Sequence, residues 1–203
     1  MGIVVLSLFG AEPRDLVDLI AAYPLGWVVS GGPADFAATP LPLLAETDSA
    51  GGIASLFGHF GKSNPQVGAL EREPRATILF QGPQGYVSPT LVSNPKWGAT
   101  WNYAVARFDV DIAFLPEETG DAVWRLAAAV EKDCPPRWTP AAMGERYDAL
   151  IRHIVAFRAK VRNSSARFKL GQDERPETFD EIVAGLGESE LAAWMTRMAR
   201  NRS

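Results

Sequence analysis

The chain opens with apolar residues at helical spacing and then changes to short apolar runs separated by turn residues. Leu16, Leu19 and Ile20 follow Pro13 at helical intervals, which predicts a short amphipathic helix with proline in its first turn. The run at 25–30 is rich in β-branched and aromatic residues and predicts a strand.

The next segment continues as short elements joined by turns. Glycine and proline at 31–36 predict a hairpin turn into a second apolar run. That run contains Pro40 and Pro42, which cannot donate ladder hydrogen bonds, so we expect it at a sheet edge or beside a bulge. A third strand is predicted at 52–60 and a short helix at 64–73.

Three further strands are predicted at 75–82, 86–92 and 100–115, and the first of them is expected to end at the Gly-Pro punctuation of "QGPQG". In the last of them, Trp101 and Tyr103 alternate onto one face. Short strands joined by turns favour a barrel or a sandwich over a parallel βαβ sheet.

After Pro116 the pattern becomes helical. Helices are predicted at 117–133, 141–162, 176–186 and 189–201, and a returning strand at 166–172. The apolar stripe of the second helix consists of Leu150, Ile151, Ile154, Val155 and Phe157.

Composition places the chain among folded globular proteins, with 47% hydrophobic and 22% charged residues in 203. The single cysteine, Cys134, cannot form an internal disulfide, so a cytoplasmic location is expected. The N-terminal apolar segment lacks a basic start and is read as structure rather than as a signal. No apolar run approaches the ~18 residues that a membrane-spanning helix needs.

The net charge of -4 hides a local excess of basic residues. Residues 152–169 contain six of them and no carboxylate: Arg152, Arg158, Lys160, Arg162, Arg167 and Lys169. Two interpretations stay open, a solvated basic helix face or a phosphate-facing patch that contacts DNA. The C-terminal stretch 173–203 carries seven acids against four bases, which disfavours DNA binding through the last helices.

The common catalytic and metal-binding motifs are absent from the sequence. The two histidines, His59 and His153, lie far apart and in no metal-ligand spacing, so no metal site is predicted. The chain contains no G-x-S-x-G motif, no P-loop and no G-x-G-x-x-G motif. The catalytic residues, if any exist, stay unknown at this point.

The stretch "GHFGKSNPQ" collects hydrogen-bond donors at a predicted strand-to-helix turn. Asn64 and Pro65 suit the N-cap and the first position of the helix, whereas His59 and Lys62 have no such structural role. Lys62, Ser63 and the free N–H groups of the helix start would together suit a phosphate group. A solvated loop and an anion site both remain open.

A second polar cluster is predicted at the ends of adjacent strands. Aromatic rings beside amide side chains suit a flat heterocycle, although plain packing explains each ring equally well. The cluster consists of Gln81, Gln84, Tyr86, Ser88, Trp101, Asn102 and Tyr103.

Four motifs in order, "GHFGKSNPQ", "ILFQGPQGYVSP", "TWNY" and "RFKLGQ", resemble the PaiB family of FMN-binding proteins, named for negative regulation of protease synthesis and sporulation. The resemblance implies an α+β, mainly antiparallel fold: a flavin-binding split β-barrel with peripheral and C-terminal helices, usually a homodimer with FMN near the subunit interface. In this single domain, the barrel would comprise 1–115 and about 165–172, with helical additions at 116–164 and 173–203.

The resemblance also implies site residues. Those matching the phosphate motif are His59, Lys62, Ser63, Asn64 and Gln66. Those that would face the flavin ring or the dimer seam are Gln81, Tyr86, Ser88, Trp101 and Asn102. Lys169 and Gln172 match the late motif, whose basic surroundings suit an anionic cofactor.

The implied function is that of a transcriptional regulator of the negative-regulator type that binds FMN. The alternative is a flavin-dependent oxidoreductase similar to flavin reductases or pyridoxamine-phosphate oxidases, in which the cofactor supplies the redox chemistry. A haem-binding split barrel is a third possibility, for which only His59 and His153 offer imidazole ligands.

Overall fold

The computed structural model describes residues 8–200. Its helices are α1 Pro13–Ala22, α2 Pro65–Arg72, α3 Thr119–Val130, α4 Arg146–Ile151, α5 Pro176–Leu186 and α6 Glu190–Arg200. Its strands are β1 Leu25–Ser30, β2 Ala37–Pro42, β3 Leu44–Thr47, β4 Ile53–Gly61, β5 Arg75–Val87, β6 Thr100–Phe114 and β7 Ile154–Lys169.

The seven strands form one sheet in the order β2-β1-β5-β6-β7-β4-β3. β1 pairs antiparallel with β2 and β5, and β4 pairs antiparallel with β3 and β7. β2, which contains Pro40 and Pro42, lies at an edge, as predicted, because proline lacks the N–H that a central strand needs. The expectation of a mainly antiparallel α+β fold is confirmed.

The chain forms two compact units. The larger unit comprises 13–80 and 107–165, and the smaller unit comprises 81–106 and 166–200 together with the described part of the N-terminus, 8–12. The long strands β5, β6 and β7 each contribute residues to both units. The predicted boundaries of barrel and helical additions stay a prediction.

Aromatic packing fills the core of the larger unit. The ring centroids of Phe60 and Phe157 lie 5.0 Å apart, and those of Phe80 and Phe108 lie 6.0 Å apart, all four side chains being fully buried. β4 passes so close to Leu43 that a Cβ at Gly58 would come within 2.6 Å of the Leu43 side chain. Glycine at position 58 is therefore what allows this close approach.

The smaller unit is closed by α6. The α6 side chains Leu191, Trp194 and Met195 are buried, and the Trp194 ring packs at 6.1 Å from the ring of Phe168. Gly171 has a positive φ of 86°, and a Cβ there would lie 3.0 Å from the Met195 side chain. Glycine is favoured there both by backbone conformation and by space.

One predicted helix is wrong. Residues 141–162 do not form a continuous helix, because only Arg146–Ile151 is helical and β7 begins at Ile154. Val155, Ala156 and Phe157 are buried one after another, as expected for a strand covered on both faces between β6 and β4. The spacing of these apolar residues matches that of an amphipathic helix, which explains the wrong prediction. Because Ile154–Lys169 is a strand, its basic residues do not form the predicted helix face.

Two strand boundaries also differ from the prediction. β5 continues through the "QGPQG" segment to Val87, and the predicted strand at 86–92 is replaced by a short 3-10 turn at Pro89–Leu91. Gly82 and Pro83 are buried within β5. Proline is compatible with extended backbone, so tertiary packing carries the strand across a pair of residues that usually mark a turn.

Candidate functional site

The end of β4 is held in place by β7. His59 lies opposite Ala156 and Gly61 lies opposite Ile154 in the antiparallel register. The next residue, Lys62, donates its backbone N–H to the carbonyl oxygen of His153 at 2.8 Å. The turn at 62–63 therefore starts from a fixed strand end.

Asn64 caps α2 as the sequence predicts. Its side-chain Oδ1 accepts the backbone N–H of Gln66 at 2.9 Å, and Pro65 occupies the first helical position. The backbone N–H of Val67 donates to the carbonyl oxygen of Asn64 at 3.0 Å. The expectation that these helix N–H groups are free for a phosphate is wrong, because the cap uses them.

Gln66 is a buried structural anchor with 1% of its surface exposed. Its Nε2 donates to the Val28 carbonyl at 3.0 Å and to Ser30 Oγ at 2.9 Å, while its Oε1 accepts from Thr39 Oγ1 at 2.6 Å. Thr39 Oγ1 in turn accepts from Asn64 Nδ2 at 2.9 Å. This network attaches α2 to β1 and β2. It also means that the side chains of Asn64 and Gln66, which were predicted to bind a ligand, make their hydrogen bonds within the protein.

Three predicted residues of the same segment, His59, Lys62 and Ser63, lack such side-chain hydrogen bonds. His59 Nδ1 is buried without a hydrogen-bond partner among residues 8–200. The side chains of Lys62 and Ser63 are exposed, and neither makes a hydrogen bond to another described residue. Burial lowers the pKa of His59 below its usual value of 6.5, so the ring is neutral at pH 7.

A charged network secures the face of β4 that carries Phe57 and, two residues on, His59. The Glu46 carboxylate accepts hydrogen bonds from Arg158 Nε at 2.8 Å, Arg125 Nη1 at 2.9 Å and Ser55 Oγ at 2.6 Å. Burial alone would raise the pKa of Glu46, but these hydrogen bonds outweigh it and lower that pKa to about 2.

The same arginines also contact other groups of the larger unit. Arg158 makes a two-point ion pair with Glu118, with N–O distances of 2.8 and 3.3 Å. The guanidinium carbons of Arg125 and Arg158 lie 4.4 and 5.0 Å from the centre of the Phe57 ring. Sequence reasoning missed this network, because its members come from four separate elements.

The second predicted cluster lies in the smaller unit and is built around Trp101. Trp101 Nε1 donates to Gln84 Oε1 at 2.6 Å, and the rings of Trp101 and Tyr86 lie 6.0 Å apart. Both rings are about half exposed, at 50% and 52%. We call Gln84, Tyr86 and Trp101 the Trp101 cluster. It presents two aromatic rings to solvent, while the side-chain oxygen of Gln84 is already hydrogen-bonded to Trp101.

Other predicted residues of the smaller unit support the backbone. Lys169 Nζ donates to Thr100 Oγ1 and, at 3.3 Å, to the carbonyl oxygen of Trp101. Gln172 closes its turn by donating to the Phe168 carbonyl at 2.6 Å and accepting the Leu170 N–H at 2.7 Å.

The remaining three predicted residues differ in exposure. Ser88 caps the 3-10 turn by accepting the Thr90 N–H at 3.2 Å. Asn102 is buried and donates to Met195 Sδ at 3.5 Å. Gln81 is exposed on β5. Of these three, Gln81 is exposed, Ser88 is half-buried and Asn102 is buried.

The twelve predicted residues divide between the units. The first five, from His59 to Gln66, belong to the larger unit, and the other seven belong to the smaller unit. Sequence reasoning did not single out Thr39, and it named Arg167 only as a member of the basic stretch 152–169. Arg167 Nε donates to the Tyr103 hydroxyl at 3.0 Å, and its guanidinium lies 4.6 Å from the centre of the Phe9 ring.

No group of three or more His, Cys, Asp or Glu side chains within residues 8–200 is placed to hold a metal ion. Every helix in the described part of the chain is too short or too polar to cross a membrane.

The sequence matches a family model described as "Putative FMN-binding domain" over residues 9–163, which is more than half of the chain. A curated relative is "Protease synthase and sporulation protein PAI 2" of Bacillus subtilis (strain 168), 27% identical over 138 residues. The match covers 66% of this chain and 66% of that protein, so about a third of the relative's length lies outside it.

Two solved structures share the fold. A conserved hypothetical protein from Mycobacterium tuberculosis has a TM-score of 0.59 and 12% identity, covering 84% of this chain and 92% of its own. An FAD- and haem-binding protein from Mycobacterium smegmatis has a TM-score of 0.54 and 17% identity, covering 89% and 81%. At these identities the likeness shows the fold alone, and it confirms the split-barrel prediction.

The family match supports FMN as the predicted cofactor. The matched range also contains the first three of the four motifs that pointed to the same family, whereas "RFKLGQ" at 167–172 lies beyond it. The chain is therefore a member of the PaiB-like family of FMN-binding-domain proteins.

Proposed function

We propose that the protein binds FMN and that His59, Lys62 and Ser63 hold its phosphate. The observation that carries the proposal is the buried, unpartnered Nδ1 of His59, followed within four residues of the chain by two exposed side chains that make no internal hydrogen bond. A buried polar atom without a partner is costly, and a ligand that supplies the partner removes that cost. The available residues therefore fit an anionic group.

The electrostatics of this segment suit a phosphate. A phosphate monoester carries a charge of about -1.5 to -2 near pH 7. Lys62 supplies a cation, Ser63 a hydroxyl donor, and the start of α2 the positive end of a helix dipole. Nδ1 of His59 donates to a phosphate oxygen only when it carries a proton, so binding favours protonation or the Nδ1–H tautomer.

The remaining predicted residues have separate roles in this proposal. Asn64 and Gln66 position the phosphate-binding segment through their internal hydrogen bonds. Tyr86 and Trp101 offer ring faces, either to an isoalloxazine ring or to a second subunit. Bound FMN would supply electron-transfer chemistry, and the residues of this chain would bind and orient it.

The test is a titration of FMN into the purified protein, followed by quenching of flavin fluorescence. We expect saturable binding by the natural protein and affinity about 10-fold weaker in Lys62→Ala, because a charge-assisted hydrogen bond is lost. Lys132→Ala is the matched control, since it removes another exposed lysine of the larger unit. Absence of binding by the natural protein would refute the proposal.

Regulation of transcription is the cellular role that the family name suggests, and DNA contact would use residues 152–169. This contact has less support, because most basic side chains of that stretch already have partners. Those partners are the Asp148 carbonyl for Arg152, Glu46 and Glu118 for Arg158, Tyr103 for Arg167 and Thr100 for Lys169. A salt-sensitive mobility shift of promoter DNA would support the regulator.

The oxidoreductase alternative predicts a different result with the same protein. Bleaching of bound flavin by NADH or NADPH under anaerobic conditions would support an enzyme, whereas stable yellow flavin in excess reductant would oppose it. The single cysteine, Cys134, is consistent with the cytoplasmic location that either role would need.

A homodimer is part of the proposal. Leu25, Trp27 and Leu79 are exposed by 57%, 48% and 40%, and Trp27 lies opposite Leu79 in the register of β1 and β5. Adjacent exposed apolar residues on a sheet often mark an interface. Trp27→Glu should convert a dimer to a monomer in light scattering, whereas Trp138→Glu, another exposed tryptophan, should not.

A further inference from the structure

A groove in the larger unit lies apart from the residues assigned to FMN. Its volume is about 500 Å³, which is within the range of small-molecule pockets. Its walls come from the β1–β2 hairpin, the start of β5, the middle of β6 and the middle of β7. Its lining includes Phe36, Arg75, Thr77, Asp109, Arg162 and Asn163.

Two arginines from different strands line this groove. The closest acid to Arg75 is Glu73 at 3.8 Å, with both side chains more than 70% exposed. Arg162 lies 3.7 Å from Asp111, and both side chains are about half exposed. Exposed ion pairs at these distances contribute little, so both guanidinium groups are available to another anion.

The acid in the groove is already neutralised. Asp109 Oδ1 accepts from Arg107 Nη2 at 2.8 Å, from Arg107 Nε at 3.1 Å and from Thr77 Oγ1 at 3.0 Å. Asn163 also hydrogen-bonds this carboxylate, and Arg107, then Thr77 and Asn163, lower the pKa of Asp109. The lining of the groove therefore contains two arginines and one carboxylate, and that carboxylate is already paired with Arg107.

An aromatic side chain stands at the rim of the groove. Phe36 in the β1–β2 hairpin has 68% of its surface exposed, the largest value among the exposed large hydrophobic residues of the described chain. An exposed phenyl ring in the same groove as two guanidinium groups provides a face for a planar ring together with donors for an oxyanion.

We propose that this groove binds a second small ligand, one in which a planar aromatic ring carries a phosphate or carboxylate group. Arg75 and Arg162 bind the oxyanion, and Phe36 stacks on the ring. None of the residues assigned to the FMN phosphate lines the groove, so the site goes beyond the flavin-binding proposal.

The experiment is calorimetric titration of the FMN-saturated protein with AMP, benzoate and adenosine. We expect AMP or benzoate to bind, the two arms telling a phosphate from a carboxylate, and adenosine to bind at least about 10-fold more weakly because it lacks the oxyanion. The double variant Arg75→Ala/Arg162→Ala should lose at least about 10-fold in affinity, and Phe36→Ala about 5-fold.

Arg146→Ala serves as the control, since Arg146 is an exposed arginine of the larger unit outside the groove. It should leave the affinity unchanged. The proposal is overturned if neither anion binds, or if the double variant binds them as the natural protein does. It is also overturned if the double variant loses FMN affinity while Lys62→Ala keeps it, because the groove is then the flavin site.

Discussion

Residues 59–66, which we call the β4–α2 segment, and the Trp101 cluster both contain polar residues near strand ends. The two regions differ in which of these polar atoms already have hydrogen-bond partners within the protein. In the β4–α2 segment, the side chains of Asn64 and Gln66 are hydrogen-bonded within the protein. His59 Nδ1 and the side chains of Lys62 and Ser63 have no such partner among the described residues. In the Trp101 cluster, the indole N–H is bonded to Gln84, and only the ring faces are free to act.

This difference separates two kinds of recognition. Free donors and a cation recognise a charged group, whereas half-exposed aromatic faces recognise a flat surface without regard to charge. The sequence contained polar residues at both places, so residue type alone did not distinguish them. The partners of each polar atom did.

The largest effect is expected from the buried anchor of the β4–α2 segment. Gln66→Ala should reduce the free energy of unfolding by about 3 kcal/mol, because it removes the buried hydrogen bonds that Gln66 makes with Thr39, Ser30 and the Val28 carbonyl. The measurement is urea denaturation. Gln81→Ala, an exposed glutamine of the smaller unit, should change it by less than about 0.5 kcal/mol. Equal losses would show that the two glutamines have the same role.

The charged network on β4 predicts a pH-dependent stability. The lowering of the Glu46 pKa from 4.5 to about 2 corresponds to at most about 3 kcal/mol. Since 21% of the side chain is exposed, we expect Glu46→Gln to cost about 2 kcal/mol at pH 7. Because the folded pKa is depressed, this contribution is present above pH 4.5 and is lost as the pH falls towards 2.

The measurement is the urea midpoint of the natural protein and of Glu46→Gln between pH 7 and pH 2.5. The urea midpoints of the two proteins should become equal as the pH approaches 2.5. Glu181→Gln provides the comparison in the smaller unit, where hydrogen bonds from Ser93 lower the pKa of a partly exposed carboxylate. If Glu181→Gln lowered the free energy of unfolding as much as Glu46→Gln does, burial of the carboxylate would not explain the contribution of Glu46.

A comparison of FMN with riboflavin separates the two regions directly. Lys62→Ala should weaken FMN about 10-fold and leave riboflavin unchanged, since riboflavin has no phosphate. If the Trp101 cluster contacts the flavin ring, Trp101→Ala should weaken both ligands by a similar factor, about 5-fold. If it contacts a second subunit, Trp101→Ala should instead shift the monomer–dimer equilibrium. Fluorescence titration and light scattering provide both readouts.

The smallest effect is the pH dependence of FMN binding. His59 is neutral in the free protein because burial lowers its pKa, and a bound phosphate would favour its protonated form. The affinity ratio of the natural protein to His59→Gln should therefore rise about 3-fold as the pH falls from 7.5 to 5.5. The ionisation of the phosphate itself affects both proteins equally. A constant ratio would show that His59 gains no proton on binding, and a ratio of one at every pH would place His59 outside the site.

Much of the local structure follows from the sequence. Pro13 and the apolar spacing after it predicted α1, Asn64 and Pro65 predicted the start of α2, and Pro40 and Pro42 predicted the edge strand. These features depend on neighbours in the chain, because caps, first-turn prolines and missing N–H donors act within a few residues. The family motifs are local in the same way.

What the sequence determined by itself is the family, the succession of most elements and the segments where chemistry is concentrated. Tertiary structure decided that 154–169 is a strand, because pairing with β4 and burial on both faces outweigh its helical spacing. It also decided that Gln66 is an anchor while His59 Nδ1 has no partner. Hydrogen-bond partners such as Val28 and Thr39 lie more than 20 residues away from α2 along the chain, and only folding brings them within bonding distance.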